Sequence, residues 1–210
     1  MPSTSQLATM YTRLSTVYDV WTWMFERSGL ERALELADIT DGESVLEVAV
    51  GSGYAFREVL RRNGSGRNVG TDLTDAMLRK TRNKAKRTGV SFELEQGDAR
   101  DLPFDDASFD LVLSNNMLGL LPPEDATRVV HEMARVLRPG GRMVLVVMTT
   151  PEQSLSRWVY RLGAMRLGGW AHIDVELGSL VRACGLDDTH GEVVTQLGFP
   201  SEILLARKHL

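Results

Sequence analysis

Three acidic residues stand where successive short apolar segments end. Glu47 lies within Val45-Leu46-Glu47-Val48, Asp72 follows Asn68-Val69-Gly70-Thr71, and Asp98 follows Gly97. A carboxylate inside an apolar run is costly to bury without a partner. Glu47 therefore calls for a wet strand end, a cationic ligand or a pair of donors. The run continues through Ala49-Val50-Gly51-Ser52-Gly53-Tyr54, a tight turn with a helix opening behind it. Gly51 and Gly53 permit positive φ and close approach of the backbone to a ligand. The helix start behind them leaves free N–H groups above the turn.

The elements that position these acids follow from periodicity. A strand is predicted from Ser44, a helix over Ala55–Arg62, a strand ending at Asp72, and a helix capped by Thr74 that carries Met77 and Leu78. Val90–Glu95 alternates as a half-buried strand, and Phe109–Ser114 is a strand followed by Asn115 and Asn116. Pro122-Pro123 opens a helix that Pro139-Gly140-Gly141 stops. Met143–Met148 is the most continuous apolar run and predicts a central strand covered on both faces. At least four alternations of strand and helix predict a doubly wound α/β sheet with right-handed crossovers. Glu192–Gln196 and Ile203–Arg207, joined by Gly198-Phe199-Pro200, are too close for a helical crossover and must be antiparallel. Before the first strand, residues 5–27 form an aromatic helical stretch and Gly29–Ala37 a second helix.

Length and composition narrow the field. The 210 residues suit one large domain, and 43% apolar with 25% charged residues is ordinary for a globular chain. A net charge of −4 gives no reason to expect nucleic acid. One cysteine, Cys184, excludes an internal disulfide framework and a multi-cysteine metal site. No apolar run reaches the roughly 18 residues of a membrane span, and the N-terminal residues lack signal-peptide character. A cytoplasmic protein is expected.

In an open α/β sheet the ligand lies across the carboxyl ends of the strands, near the point where strand order reverses. Three adjacent strand ends bearing acids then describe one elongated site. Such a site favours hydroxyls, amines and positive charge. A dinucleotide fits poorly, because Phe56 occupies the third glycine position of the dinucleotide fingerprint and a pyrophosphate would face Glu47. The Walker pattern is absent. S-adenosylmethionine fits better, having an ammonium, ribose hydroxyls, an adenine amine and no phosphate.

The same residues carry a resemblance. Val45-Leu46-Glu47-Val48-Ala49-Val50-Gly51-Ser52-Gly53, Gly70-Thr71-Asp72-Leu73-Thr74-Asp75-Ala76-Met77-Leu78, Gly97-Asp98-Ala99, Leu102 to Asp110, Val136 to Gly141 and the Tyr18-Asp19 pair resemble, in order, class I S-adenosylmethionine-dependent methyltransferases. More narrowly, they resemble the ubiquinone/menaquinone-biosynthesis group and its phospholipid relatives. The resemblance implies a Rossmann-like, seven-stranded, mostly parallel sheet with an antiparallel last strand. It also implies roles. Glu47, Gly51 and Gly53 border the methionine moiety, and Asp72 takes the ribose hydroxyls. Leu73 lies against the adenine face, with Met77 in the same cofactor-binding set. Asp98 accepts from the adenine amine, Ala99 lies beside the ring, and Asn115 sits by the sulfonium. Tyr18 closes over the methionine. One departure stands out: Ala49 occupies a position where the family usually has glycine, and its methyl group could tighten the turn or shift the ligand.

The expected organisation is a single domain: a helical lid over 1–40, a cofactor core over 41–148, an acceptor-side insertion over 149–173, and a helix with a strand pair over 174–210. Methyl transfer needs alignment and a dry pocket, with a general base only where the acceptor must lose a proton. His172 is the candidate base, and Tyr18 the second catalytic candidate. No metal site is expected. In the insertion, Trp158, Leu162 and Met165 share a helical face near Arg157 and Arg161. Such a basic, aromatic helix suits a lipid-like or anionic acceptor or a peripheral membrane contact. The expected acceptor is a small apolar molecule, a quinone or phenol precursor or an aminophospholipid. The alternative is a protein that binds S-adenosylmethionine without catalysis.

Overall fold

A computed structural model describes residues 27–150 and 176–210; the expected roles of Tyr18 and His172 and the Arg157–Trp158 segment lie outside the described residues. Seven strands form one sheet: β1 Ser44–Val48, β2 Arg67–Asp72, β3 Glu93–Gln96, β4 Phe109–Asn115, β5 Leu137–Met148, β6 Leu186–Gln196 and β7 Phe199–Lys208. Their spatial order is β3-β2-β1-β4-β5-β7-β6. All pairings from β3 to β5 are parallel. β7 runs antiparallel between β5 and β6. The predicted doubly wound sheet with an antiparallel last strand is thus the observed one.

Topology decides which faces the helices cover. Helices α1 (Arg27–Ala37), α2 (Tyr54–Arg62) and α3 (Asp75–Ala85) pack on one face, and α4 (Pro123–Val136) and α5 (Leu177–Ala183) on the other. The chain steps from β1 out to β3 in one direction and from β4 to β5 in the other. Right-handed crossovers then place α2 and α3 opposite α4. The reversal falls between β1 and β4, the place where an open α/β sheet receives its ligand.

The uninterrupted apolar run of β5 is explained by burial on both sides. Met143, Leu145 and Val147 join the α4–α5 core, whereas Val144 and Val146 join the α1–α2 core. A third cluster, Val50, Phe56, Leu60, Leu78 and Ala85, binds α2 to α3, and Phe92 meets Phe56 edge to face at 6.1 Å. Each large side chain buried in this way contributes roughly 1.5–3 kcal/mol.

Three details depart from the sequence expectations. First, residues 27–37, expected within a lid, are a core-facing helix. Leu30, Ala33, Leu34 and Ala37 are buried against β5, β6 and β7. Second, β5 begins at Leu137, which pairs with Phe109, before the chain bulges over Arg138–Gly141 and resumes at Arg142 opposite Leu111. The Pro-Gly-Gly stop signal therefore marks a bulge within a strand. Third, β6 and β7 are longer than alternation suggested, because each continues pairing past its polar residues. No helix among the described residues is long and apolar enough to cross a membrane.

Candidate cofactor site

The turn after β1 is held from several directions. The Val50 amide donates to the Thr71 carbonyl at 2.9 Å, and the Gly53 amide to the Val50 carbonyl at 2.9 Å. The Gly51 amide donates to Asp72 Oδ2 at 3.0 Å, while Thr81 Oγ1 donates to the Gly51 carbonyl at 2.8 Å. Lys84 Nζ reaches Ser52 Oγ at 3.1 Å. Three of five consecutive residues have positive φ: Ala49 at 61°, Gly51 at 53° and Gly53 at 80°. Gly53 is required by packing as well as by φ. A Cβ there would lie 2.7 Å from the Thr81 Cα. Ala49 adopts a left-handed conformation that glycine adopts easily, and pays for its methyl group in strain.

Asp72 is the organiser of this turn. Its Oδ1 accepts from the Thr74 amide at 2.9 Å and from Thr74 Oγ1 at 3.1 Å. Thr74 in turn caps α3 by accepting from the Met77 amide at 3.3 Å, as its sequence position predicted. Burial raises the Asp72 carboxyl above its ordinary value, against the lowering effect of these donors. Glu47 is 2% exposed, and its Oε2 has no hydrogen-bond partner. Burial first, and the nearby Asp72 second, push its carboxyl well above the usual range.

Glu47 is one of several such groups. Ser114 Oγ, Asn115 Oδ1 and both amide atoms of Asn116 are also buried and unpartnered. Leaving a buried polar atom unpaired costs about 1–3 kcal/mol, so their concentration at the ends of β1 and β4 marks a place built for another molecule. The register brings them together: Glu47 stands opposite Leu113 and Val48 opposite Ser114. Glu47 and Asn115 share the α1–α2 face by strand alternation, whereas Ser114 shares the other with Val48.

Of the remaining predicted residues, Leu73 follows β2, Asp98 and Ala99 follow β3, and Met77 lies on α3. Leu73 is partly exposed, and its carbonyl accepts from Gln96 Nε2 at 3.0 Å. Met77 is buried on α3. Ala99 is partly buried against the α4–α5 core. Asp98 differs from expectation in its surroundings: Arg100 Nη2 donates to its Oδ2 at 2.6 Å, and Arg100 also reaches Asp125 at 3.1 Å. That guanidinium holds the Asp98 carboxyl below its ordinary value. An adenine amine would share Asp98 with Arg100. Asn116 was not among the sequence candidates. Its signal, an Asn directly after a strand where left-handed φ is tolerated, was present but is not specific.

Away from this row, a cleft of about 520 Å³ separates α1 from α2, lined by Arg27, Glu31, Tyr54, Arg57, Glu58 and Arg61 among others. Its arginines are paired in place, Arg27 with Glu31 and Arg57 and Arg61 with Glu58. No ligand site is assigned to it. Among the described residues no cluster of His, Cys, Asp and Glu could hold a metal ion.

Buried acids at the point where strand order reverses, a glycine turn and a strand order of β3-β2-β1-β4-β5-β7-β6 together define the Rossmann-like fold of class I S-adenosylmethionine-dependent methyltransferases. Residues 45–141 match the family described as Methyltransferase domain. It is 32% identical over 191 residues to nocamycin O-methyltransferase of Saccharothrix syringae, covering 90% of this chain and 64% of that protein. It is 38% identical over 137 residues to demethylmenaquinone methyltransferase of Deinococcus radiodurans, covering 65% of this chain and 54% of the relative. The chain thus spans between about half and two thirds of the length of these curated relatives. Among solved structures, the 4+2 cyclase SpnF aligns over 100% of this chain and 97% of its own, with a TM-score of 0.80 and 18% identity. At that identity the likeness is one of fold, and fold alone does not assign activity.

Proposed function

We propose that the protein transfers the methyl group of S-adenosylmethionine to a small, largely apolar acceptor, a quinone or phenol precursor. The observation that carries the reading is Glu47, a carboxyl 2% exposed with an unpartnered Oε2, beside a turn whose helix has no side-chain cap. An acid adjacent to free helix N–H groups complements an ammonium and a carboxylate on one carbon. Glu47 and the turn at Gly51 and Gly53 would hold the methionine tail. Asp72 and Leu73 would hold the ribose and adenine, with Met77, Asp98 and Ala99 at the adenine end and Asn115 towards the sulfonium. When bound, the cofactor supplies an electrophilic methyl group. The chain's own contribution is to orient the two reactants and exclude water. Tyr18 and His172 are proposed as the closing and base residues. The quinone or phenol class is supported by the demethylmenaquinone relative.

Calorimetric titration with S-adenosylmethionine and S-adenosylhomocysteine tests the first half, with Asp72→Asn as the weakened control. No binding by the wild type overturns it. Methyl transfer assayed against quinols, phenols and aminophospholipids tests the second. Cofactor binding with no S-adenosylhomocysteine released across the panel identifies a binder without catalysis.

A further inference from the structure

The strand order arranges the proposed cofactor residues in a line. Asp98 follows β3, Asp72 ends β2, Glu47 lies in β1 and Asn115 ends β4. Strands lie about 4.8 Å apart, so this line spans roughly 14 Å. The adenine-side residues stand at one end and the sulfonium-side residue at the other. Whatever lies past Asn115 lies past the transferable methyl group, on the side from which an acceptor must come.

Asn116 occupies that place. It is 3% exposed, its φ is 54°, and neither Oδ1 nor Nδ2 has a partner. Its backbone amide donates to the Val146 carbonyl at 2.8 Å, which fixes the residue against β5. Beyond it the chain turns apolar through Met117 and Leu118, which pack against the α4–α5 core. A buried carboxamide with both atoms empty offers one acceptor and one donor side by side. The complement of that pair is a group that presents a donor and an acceptor side by side: a hydroxyl next to a carbonyl, as in a hydroxyquinone or an enolised dicarbonyl. A simple phenol or an unsubstituted quinone satisfies only one of the two atoms.

We infer that Asn116 selects the methyl acceptor by a two-point hydrogen bond to adjacent hydroxyl and carbonyl oxygens. This rests on the methyltransferase reading and narrows its acceptor class. Glu47 already answers the cofactor's ammonium and Asn115 its sulfonium, and Asn116 is bonded to β5, on the side of β4 away from the adenine end. The rival is that Asn116 grips the amino-acid tail of the cofactor itself.

The test compares binding of 5-hydroxy-1,4-naphthoquinone, whose phenolic hydroxyl stays protonated beside a carbonyl at neutral pH, and 1,4-naphthoquinone to the full chain saturated with S-adenosylhomocysteine. The one added hydrogen bond should favour the hydroxyquinone by about twofold to tenfold. Asn116→Gly keeps the left-handed backbone while deleting the amide, and should erase that preference with the S-adenosylhomocysteine Kd and the melting temperature retained. Asn116→Asp keeps an acceptor but loses the donor, and should erase most of the preference. A wild type that binds both quinones equally, or not at all, overturns the inference, as does an Asn116→Gly variant that keeps the preference. Loss of S-adenosylhomocysteine affinity in Asn116→Gly assigns the residue to the cofactor and overturns it too. If the wild type fails to bind S-adenosylhomocysteine, the methyltransferase reading falls first and this inference with it.

Discussion

Replacing Ala49 by glycine isolates one strained backbone position. Ala49 sits at φ 61° between two pinned neighbours, Val48 paired in the sheet with Thr71 and Ser114, and Val50 with its amide bound to the Thr71 carbonyl. With both sides held, the turn cannot relax around the methyl group. A left-handed L-residue costs about 1–2 kcal/mol. Glycine removes that cost but gives back roughly 0.5–1 kcal/mol of chain entropy on folding. The net expectation is that Ala49→Gly stabilises the protein by about 0.5–1 kcal/mol. For a chain of this size that raises the melting temperature by about 1–4 °C. Ala49→Val, β-branched and worse suited to positive φ, should move it the other way. Calorimetric melts of the three proteins without ligand decide the matter. If Ala49→Gly melts at or below the wild type, the strain assigned to this position is not there. A parallel titration with S-adenosylmethionine shows whether the methyl group also hinders the cofactor.

Glu47→Gln addresses the buried carboxyl. Its folded-state value lies above the unfolded one, so it stabilises the ligand-free protein most at low pH. That contribution is lost as pH rises from the ordinary carboxylate range through the raised folded value. The variant should flatten the corresponding part of the melting-temperature profile, and the same slope in wild type and variant would contradict the assignment. Because a bound ammonium favours the ionised form, wild-type cofactor affinity should rise with pH, and Glu47→Gln should weaken binding roughly ten- to a hundredfold. Gly53→Ala would force a Cβ to within 2.7 Å of Thr81 at φ 80°, and urea unfolding should show a loss of about 2–4 kcal/mol. Arg142 pairs with Glu43 at 2.8 Å and donates to the Ala37 carbonyl at 2.8 Å, both in the partly buried seam below α1. Arg142→Ala should cost about 1.5–3 kcal/mol in the same assay.

The sheet was legible because its signals are local and repeated. Apolar runs of strand length, the Thr74 cap and the short Gly198-Phe199-Pro200 link each dictated one element, and together they left few topologies. The turn after β1 was legible for the same reason, glycines beside an acid. What escaped were facts decided by partners distant in sequence. Nothing local to Asp98 announces that Arg100 also spans to Asp125. The Arg138–Gly141 bulge depends on Leu137 finding Phe109, a pairing that the Pro-Gly-Gly signal does not encode. The buried side of α1 reads as an amphipathic helix either way, as lid or as core layer. Only the strands beneath it decide. Asn116 shows the same limit at the site: an Asn after a strand is common, and its empty amide is visible only once the fold encloses it.

The placement of β7 has a consequence for synthesis. β7 is the last of the seven strands in the chain but not the last in the sheet, since it fills the gap between β5 and β6. As the chain leaves the ribosome, β1 to β5 can associate in parallel with their helices. Until β7 follows, β5 presents an open edge of buried-type residues, Val144 to Met148, and β6 has no strand to pair with. The nascent protein therefore passes through a stage with an unguarded apolar edge in the middle of its future sheet. Both halves are completed by one late insertion.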